Sequence, residues 1–176
     1  MKRYSDKFKI YLEDLSQPTP QPGGGSVASL CFCVGTSLIE MVLKFSKGNF
    51  KDFFSILKKE RKKILPLIDL DGKLFSQIIK ERSLQKKKYL ISKSQKNLIK
   101  IGEKSLEILS MIKKVKNRVK LSLKGDLEIG LRLVELALFA CIKNLQANQI
   151  MFKVDNRETI NNLSKKFKKV SIWEKF

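Results

Sequence analysis

Pro20-Gln21-Pro22-Gly23-Gly24-Gly25-Ser26, followed without a break by the apolar run Val27 to Val42, is the stretch on which the fold turns. Two prolines stiffen an extended approach, and three glycines allow backbone angles that side-chain-bearing residues avoid. Ser26 is a favourable N-cap, so the spacing predicts a helix from about Ser26 to Phe45, breaking near Gly48. A glycine turn at a helix start aims several N–H groups at one spot, where the helix dipole adds partial positive charge. Such a turn can cradle an anion or a carbonyl; it can equally serve close packing.

Outward from this run, helical periodicity continues almost everywhere. Phe8, Tyr11, Leu12 and Leu15 form a stripe on a short first helix, and residues 17–25 form a loop. Phe50, Phe53, Phe54, Leu57 and Ile64, then Leu67, Ile68, Leu74 and Ile78, keep the spacing, with a kink expected near Pro66. Leu84 to Leu123 has no proline and a single glycine, Gly102. Gly125-Asp126 reads as a break and N-cap before a strong helix to about Ile150. Asn156 is placed to cap a last helix through about Lys169. Strand patterns are scarce. The expected fold is all-α: a single domain over residues 1–176, a multihelical array with a glycine-rich loop entering a central apolar helix.

Composition narrows the chemistry. There is no histidine, so proton transfer falls to Asp, Glu, Lys, Tyr or Cys, and the commonest zinc ligand is missing. Cys31, Cys33 and Cys141 lie in apolar stretches. On a helix the thiols of Cys31 and Cys33 point about 200° apart, which suits neither a disulfide nor a metal, so all three read as buried apolar residues of a reducing, cytoplasmic compartment. No signal peptide pattern is visible. Val27 to Leu43 approaches membrane-spanning length, but Glu40 interrupts it and no interfacial aromatics flank it; a central bundle helix is the expectation, with no membrane partner.

The net charge of +20, from 37 basic and 17 acidic residues, points either to a polyanionic partner or to a general compositional bias. Lysines dominate and are spread along the chain rather than gathered in a block, which disfavours nucleic acid as the partner.

Two more segments carry candidate chemistry. In Leu67-Ile68-Asp69-Leu70-Asp71, Asp71 lies four residues before Phe75 on one helical face and tilts towards the core. A carboxylate there is either paired with a lysine or a helix N-terminus, or used. Asn144 and Asn148 are four apart in the apolar helix of the second half. They suit a heterocycle with alternating donors and acceptors, or an interhelical polar pair that fixes register.

Taken together, PGGGSVASL with Gly35, Leu38, Met41-Val42 and Ser46-Lys47-Gly48, the Asp71 segment, and Asn144/Asn148 after an Asp126-Leu127 helix start resemble the cyclodeaminase/cyclohydrolase family. That family comprises the C-terminal domain of formiminotransferase-cyclodeaminase and the free-standing methenyltetrahydrofolate cyclohydrolases. The resemblance implies a helical homodimer acting on a tetrahydrofolate with a one-carbon unit, a reaction that needs no metal and no cofactor; the scattered lysines suit the anionic tail of polyglutamylated folates. It makes Asp71 the catalytic residue and assigns Gly23, Gly24, Gly25, Ser26, Lys44, Asp126, Asn144 and Asn148 to substrate binding. Cyclodeamination and cyclohydrolysis both stay open. Departures from the family pattern at Lys44, at Leu84-Gln85 and in the shortened stretch to Gly125 keep two alternatives in view: an inactive homodimer of the same fold, and a basic nucleic-acid-binding protein.

Overall fold

The computed structural model describes residues 3–171. Seven α-helices account for most of them: α1 (Tyr4–Leu15), α2 (Gly24–Phe45), α3 (Lys51–Ile64), α4 (Leu67–Lys80), α5 (Leu84–Lys113), α6 (Lys124–Phe152) and α7 (Arg157–Val170). Two 3-10 turns, Lys116–Arg118 and Leu121–Leu123, link α5 to α6, and no strand occurs among the described residues. The fold is all-α, as the periodicity predicts.

Several boundaries differ from the sequence reading, each for a local reason. Pro66 separates two helices instead of kinking one, because its ring fits at a helix start and not in an interior. The long helix of the second half starts at Lys124, so Asp126 sits inside its first turn and is not the N-cap. The helix begun at Leu84 ends at Lys113, ten residues short of Leu123. Asn156 does occupy the N-cap position of α7, although its side chain does not make the capping bond.

The apolar run forms the centre. α2 lies antiparallel to α6: Gly24 sits beside Asn144 at one end, and Gly35 against Gly130 and Val134 in the middle. At that crossing a Cβ on Gly35 would stand 2.7 Å from the Gly130 carbonyl oxygen, so the two backbones touch where each lacks a side chain. Around them Phe32, Ile39, Leu43, Ile101, Ile108, Val134, Leu138 and Leu145 are fully or almost fully buried. α2 is the one described helix long and apolar enough to cross a membrane. Its inner face, including Ser29, Thr36 and Glu40, is buried in the protein, and the two hydroxyls are satisfied by the helix's own carbonyls.

Glu40 explains how a charge survives in that run. Its carboxylate takes Lys44 at 2.6 Å on one oxygen and Arg61 of α3 on the other. Burial opposes its ionisation, but these two hydrogen-bonded cations outweigh it and hold the carboxyl below its usual range.

Candidate active site

The glycine turn does not use the conformational freedom that the sequence suggests. Among the described residues the one glycine at positive φ is Gly48; Gly23, at the N-cap, is extended at φ −136°. Gly24 and Gly25 are already helical. Their missing side chains matter for what approaches them. A Cβ on Gly24 would stand 2.8 Å from the amide of Asn144, and one on Gly25 would collide with the carboxylate of Asp71. Likewise a Cβ on Gly72 would collide with Gln21, so the proline loop lies flat on α4.

Ser26 is therefore not the cap. It is the third residue of α2, and its backbone amide lies close enough to the carboxylate of Asp71 to favour the ionised form. A carboxylate from α4 thus stands over the first turn of α2, where a capping side chain normally stands. Val27 N–H opens the helical ladder by donating to Gly23 O at 3.0 Å. The amides of Gly24 and Gly25 remain outside that ladder, as in the first turn of any α-helix.

Asp71 is half-buried, and burial pushes its carboxyl above the usual range, against the lowering effect of the Ser26 amide. Desolvation wins because one amide donor replaces only part of the water shell. Behind it lies Cys141, fully buried; burial, with the nearby Asp71 charge adding to it, pushes that thiol far above neutrality and leaves it an apolar wall. Tyr11 of α1 hydrogen-bonds Ser26 Oγ at 3.0 Å. Burial raises its phenol too, partly offset by that bond.

Asn144 and Asn148 are half-buried rather than buried. Asn144 Nδ2 donates to Ala140 O at 2.7 Å, which orients its carbonyl oxygen away from the helix as an acceptor. One turn beyond Asn148, Phe152 meets Phe75 of α4 with ring centroids 6.2 Å apart. Phe75 is one turn beyond Asp71. α4 and α6 are thus tied at one end through the glycine turn, between Asp71 and Asn144, and at the other through the two rings. Asn148 falls between these ties. The frame offers a carboxyl, two backbone donors, an amide acceptor and an aromatic edge, which is what a flat, polar heterocycle requires. On the outer side of the proline loop is a separate open concavity of about 620 Å³, walled by Tyr11, Gln21, Asp69, Gly72 and Lys73 but not by Asp71.

Two of the residues expected at the site are elsewhere in the chain. Lys44 is 20 residues along α2 from Gly24, about 30 Å at helical rise, paired with Glu40 and lying over the ring of Phe54. Asp126 is at the start of α6, at that same far end of the antiparallel pair. Conversely, Tyr11 and Gln21 belong to the site's supports and were not singled out in the sequence. Tyr11 carried only the signal of an aromatic hydroxyl in a short stripe.

An all-α chain whose glycine-started central helix has a carboxylate from a second helix over its first turn and an asparagine pair from a third beside it defines a recognisable class of helical domain. The formiminotransferase-cyclodeaminase family model matches residues 7–169, and the chain belongs to that family. Its structure is similar to the crystal structure of formiminotetrahydrofolate cyclodeaminase from Thermotoga maritima, with a TM-score of 0.76 and 17% sequence identity, over 92% of this chain and 86% of that one. No curated protein matches the sequence.

Proposed function

We propose that this protein is a folate one-carbon enzyme, a methenyltetrahydrofolate cyclohydrolase or a formiminotetrahydrofolate cyclodeaminase, with Asp71 as its acid/base. The observation that carries the proposal is the position of Asp71. It is a half-buried carboxyl with a raised pKa, close to the Ser26 amide, with no side-chain cation paired to it among the described residues, over the first turn of α2. A structural carboxylate in this place is better served by a lysine partner, as Glu40 is.

Both reactions pass through a tetrahedral carbon between N5 and N10 of the folate. Hydrolysis adds water to the methenyl carbon, and the C–N5 bond then breaks as N5 takes a proton, giving the 10-formyl product. Cyclodeamination adds N10 to the formimino carbon and expels ammonia, whose nitrogen must be protonated to leave. Each needs one group that takes and returns a proton. A carboxyl raised above its usual range does this well, typically contributing about 10²–10⁴-fold. Its ionised form also stabilises the cationic amidinium. The amides of Gly24 and Gly25 supply donors for a carbonyl of the substrate, and Asn144 with Asn148 orients the ring. The positive surface favours the anionic tail of polyglutamylated folates.

The test is loss of methenyl-tetrahydrofolate absorbance, wild type against Asp71→Asn, after subtraction of spontaneous hydrolysis. Acceleration by the wild type that the variant loses supports a cyclohydrolase with Asp71 at its centre. If only formimino-tetrahydrofolate is consumed, with release of ammonia, the protein is the cyclodeaminase. Inertness towards both substrates rejects the enzyme and leaves a helical protein that has lost catalysis.

A further inference from the structure

Ser26 is the exception among the hydroxyls of the central helix. Ser29, Thr36 and Ser37 within α2, and Ser46 just after it, each donate to the carbonyl four residues back, at 3.0, 2.7, 2.8 and 2.8 Å. Ser26 is fully buried, yet its hydroxyl leaves the helix and bonds Tyr11 Oη at 3.0 Å. Among the described residues this is the one side-chain hydrogen bond that joins α1 to another helix. α1 buries no residue of its own. Its specific polar tie falls at the turn over which the Asp71 carboxylate stands.

We propose that Tyr11 is a positioning residue: by engaging the Ser26 hydroxyl, it keeps that donor off the Asp71 carboxylate. The carboxylate touches Gly25 and lies close to the Ser26 amide, so it is the strongest acceptor near a Ser26 hydroxyl that has lost its partner. A buried hydroxyl is costly to leave unpaired. Given to the carboxylate, it would stabilise the ionised form and make the proton harder to hold. The acid/base reading of Asp71, on which the functional side of this inference rests, needs the reverse. The competition for the hydroxyl does not depend on that reading.

The other titratable groups around the turn do not compete for that donor. Tyr11 on α1, Cys31 on α2 and Cys141 on α6 all have their ionisation raised by burial and stay neutral. On α4 itself, Asp69 and Lys73 line the outer concavity, which Asp71 does not. Tyr11 lines it too, so one residue closes the open side of the turn and holds the hydroxyl on its buried side.

The test is a carbon-13 NMR titration of protein labelled at its aspartate carboxyls, with the Asp71 signal identified by its absence in Asp71→Asn. Tyr11→Phe keeps the ring and removes the hydroxyl. In that variant Asp71 is expected to titrate roughly one pH unit lower than in wild type, the effect of one added hydrogen bond to the ionised form. Adding Ser26→Ala removes the redirected donor, and the double variant is expected to titrate as wild type does. Ser26→Ala alone is expected to change nothing, because in the wild type that hydroxyl serves Tyr11. An Asp71 unmoved by Tyr11→Phe overturns the inference, the freed hydroxyl having turned to the Pro22 carbonyl four residues back. So does a lowered titration that Ser26→Ala fails to restore, since Tyr11 then acts only by excluding water. So does a rise in Ser26→Ala alone, a measurement that decides by itself if Tyr11→Phe loses its helical circular dichroism. None of these readouts uses folate. In an active enzyme, the inflection that Asp71 imposes on kcat/KM against pH is expected to move down with the titration in Tyr11→Phe. An inactive protein with the expected titrations loses the proposed function and keeps this role for Tyr11; an active one with unmoved titrations loses the role alone.

Discussion

The α-carbon of Gly25 and the carboxylate of Asp71 are in such close contact that no side chain fits between them, although 45 residues separate them in the chain. The glycine and the acid are one device. The first admits the second to the helix start, and the second places its carboxylate at the positive end of the helix that the first begins.

Gly25→Ala therefore tests the site without attacking the fold. The added methyl meets the movable end of a side chain, so Asp71 rotates away while the backbone stays. Activity is expected to fall about 10²-fold or more, towards that of Asp71→Asn. Stability should change by no more than about 1 kcal/mol, since alanine is the better helix former. Steady-state rates and urea denaturation of the same preparation check both halves. Global unfolding of the variant would contradict this account.

Asp71→Asn should separate activity from stability by pH. The folded pKa of Asp71 lies above its unfolded value, so the native state binds the proton more tightly. Stability from this group is full below the unfolded pKa and is lost as pH rises through the folded one. At pH 7 the wild type carries the cost of a poorly solvated carboxylate. The asparagine variant, which is neutral, escapes it. It is expected to melt at a higher temperature than wild type at pH 7, with the gap closing in acid below the usual carboxylate range.

Glu40 predicts the opposite trend. Its folded pKa is depressed, so its contribution is present above the unfolded value and is lost as pH falls through the folded one. Glu40→Gln should cost roughly 2 kcal/mol at pH 7, because Arg61 loses a charged acceptor. Chemical denaturation at a series of pH values should show the penalty shrinking on acidification.

Gly35→Val drives a branched side chain into the carbonyl of Gly130, which is backbone and cannot swing aside. The central helix pair must part. A loss of about 2 kcal/mol or more is expected, read as a lower urea midpoint, with Asp71 chemistry affected only through stability. A neutral effect would show that α2 and α6 slide more freely than their contact implies.

If the positive surface serves the folate tail, polyglutamylated substrate should bind more tightly than the monoglutamate, and the difference should fade as salt is raised. Equal affinity for both forms at low salt would leave the charge without this role.

Much of the fold was legible because helical period is local. The Phe50 to Ile78 stripes, the strong helix to about Ile150 and the apolar run after the glycines each report their own burial within a few turns of chain. Boundaries failed where a neighbour decided them. Ser26 has the chemistry of an N-cap, yet the helix starts two residues before it, at Gly24, with the carboxylate of Asp71 brought from α4 over that first turn. The glycines advertised backbone freedom and were used for close approach.

The sequence by itself determined the all-α class, the central helix and a short roster of polar residues in apolar settings, since hydrophobic spacing and burial cost are properties of each segment. Only the tertiary structure decided which of that roster meet. Asp71, Gly25, Ser26 and Asn144 converge, and Tyr11 joins them unannounced. Lys44 and Asp126 gather at the opposite end, because α2 and α6 run antiparallel and a rigid helix of 22 residues keeps its two ends about 30 Å apart.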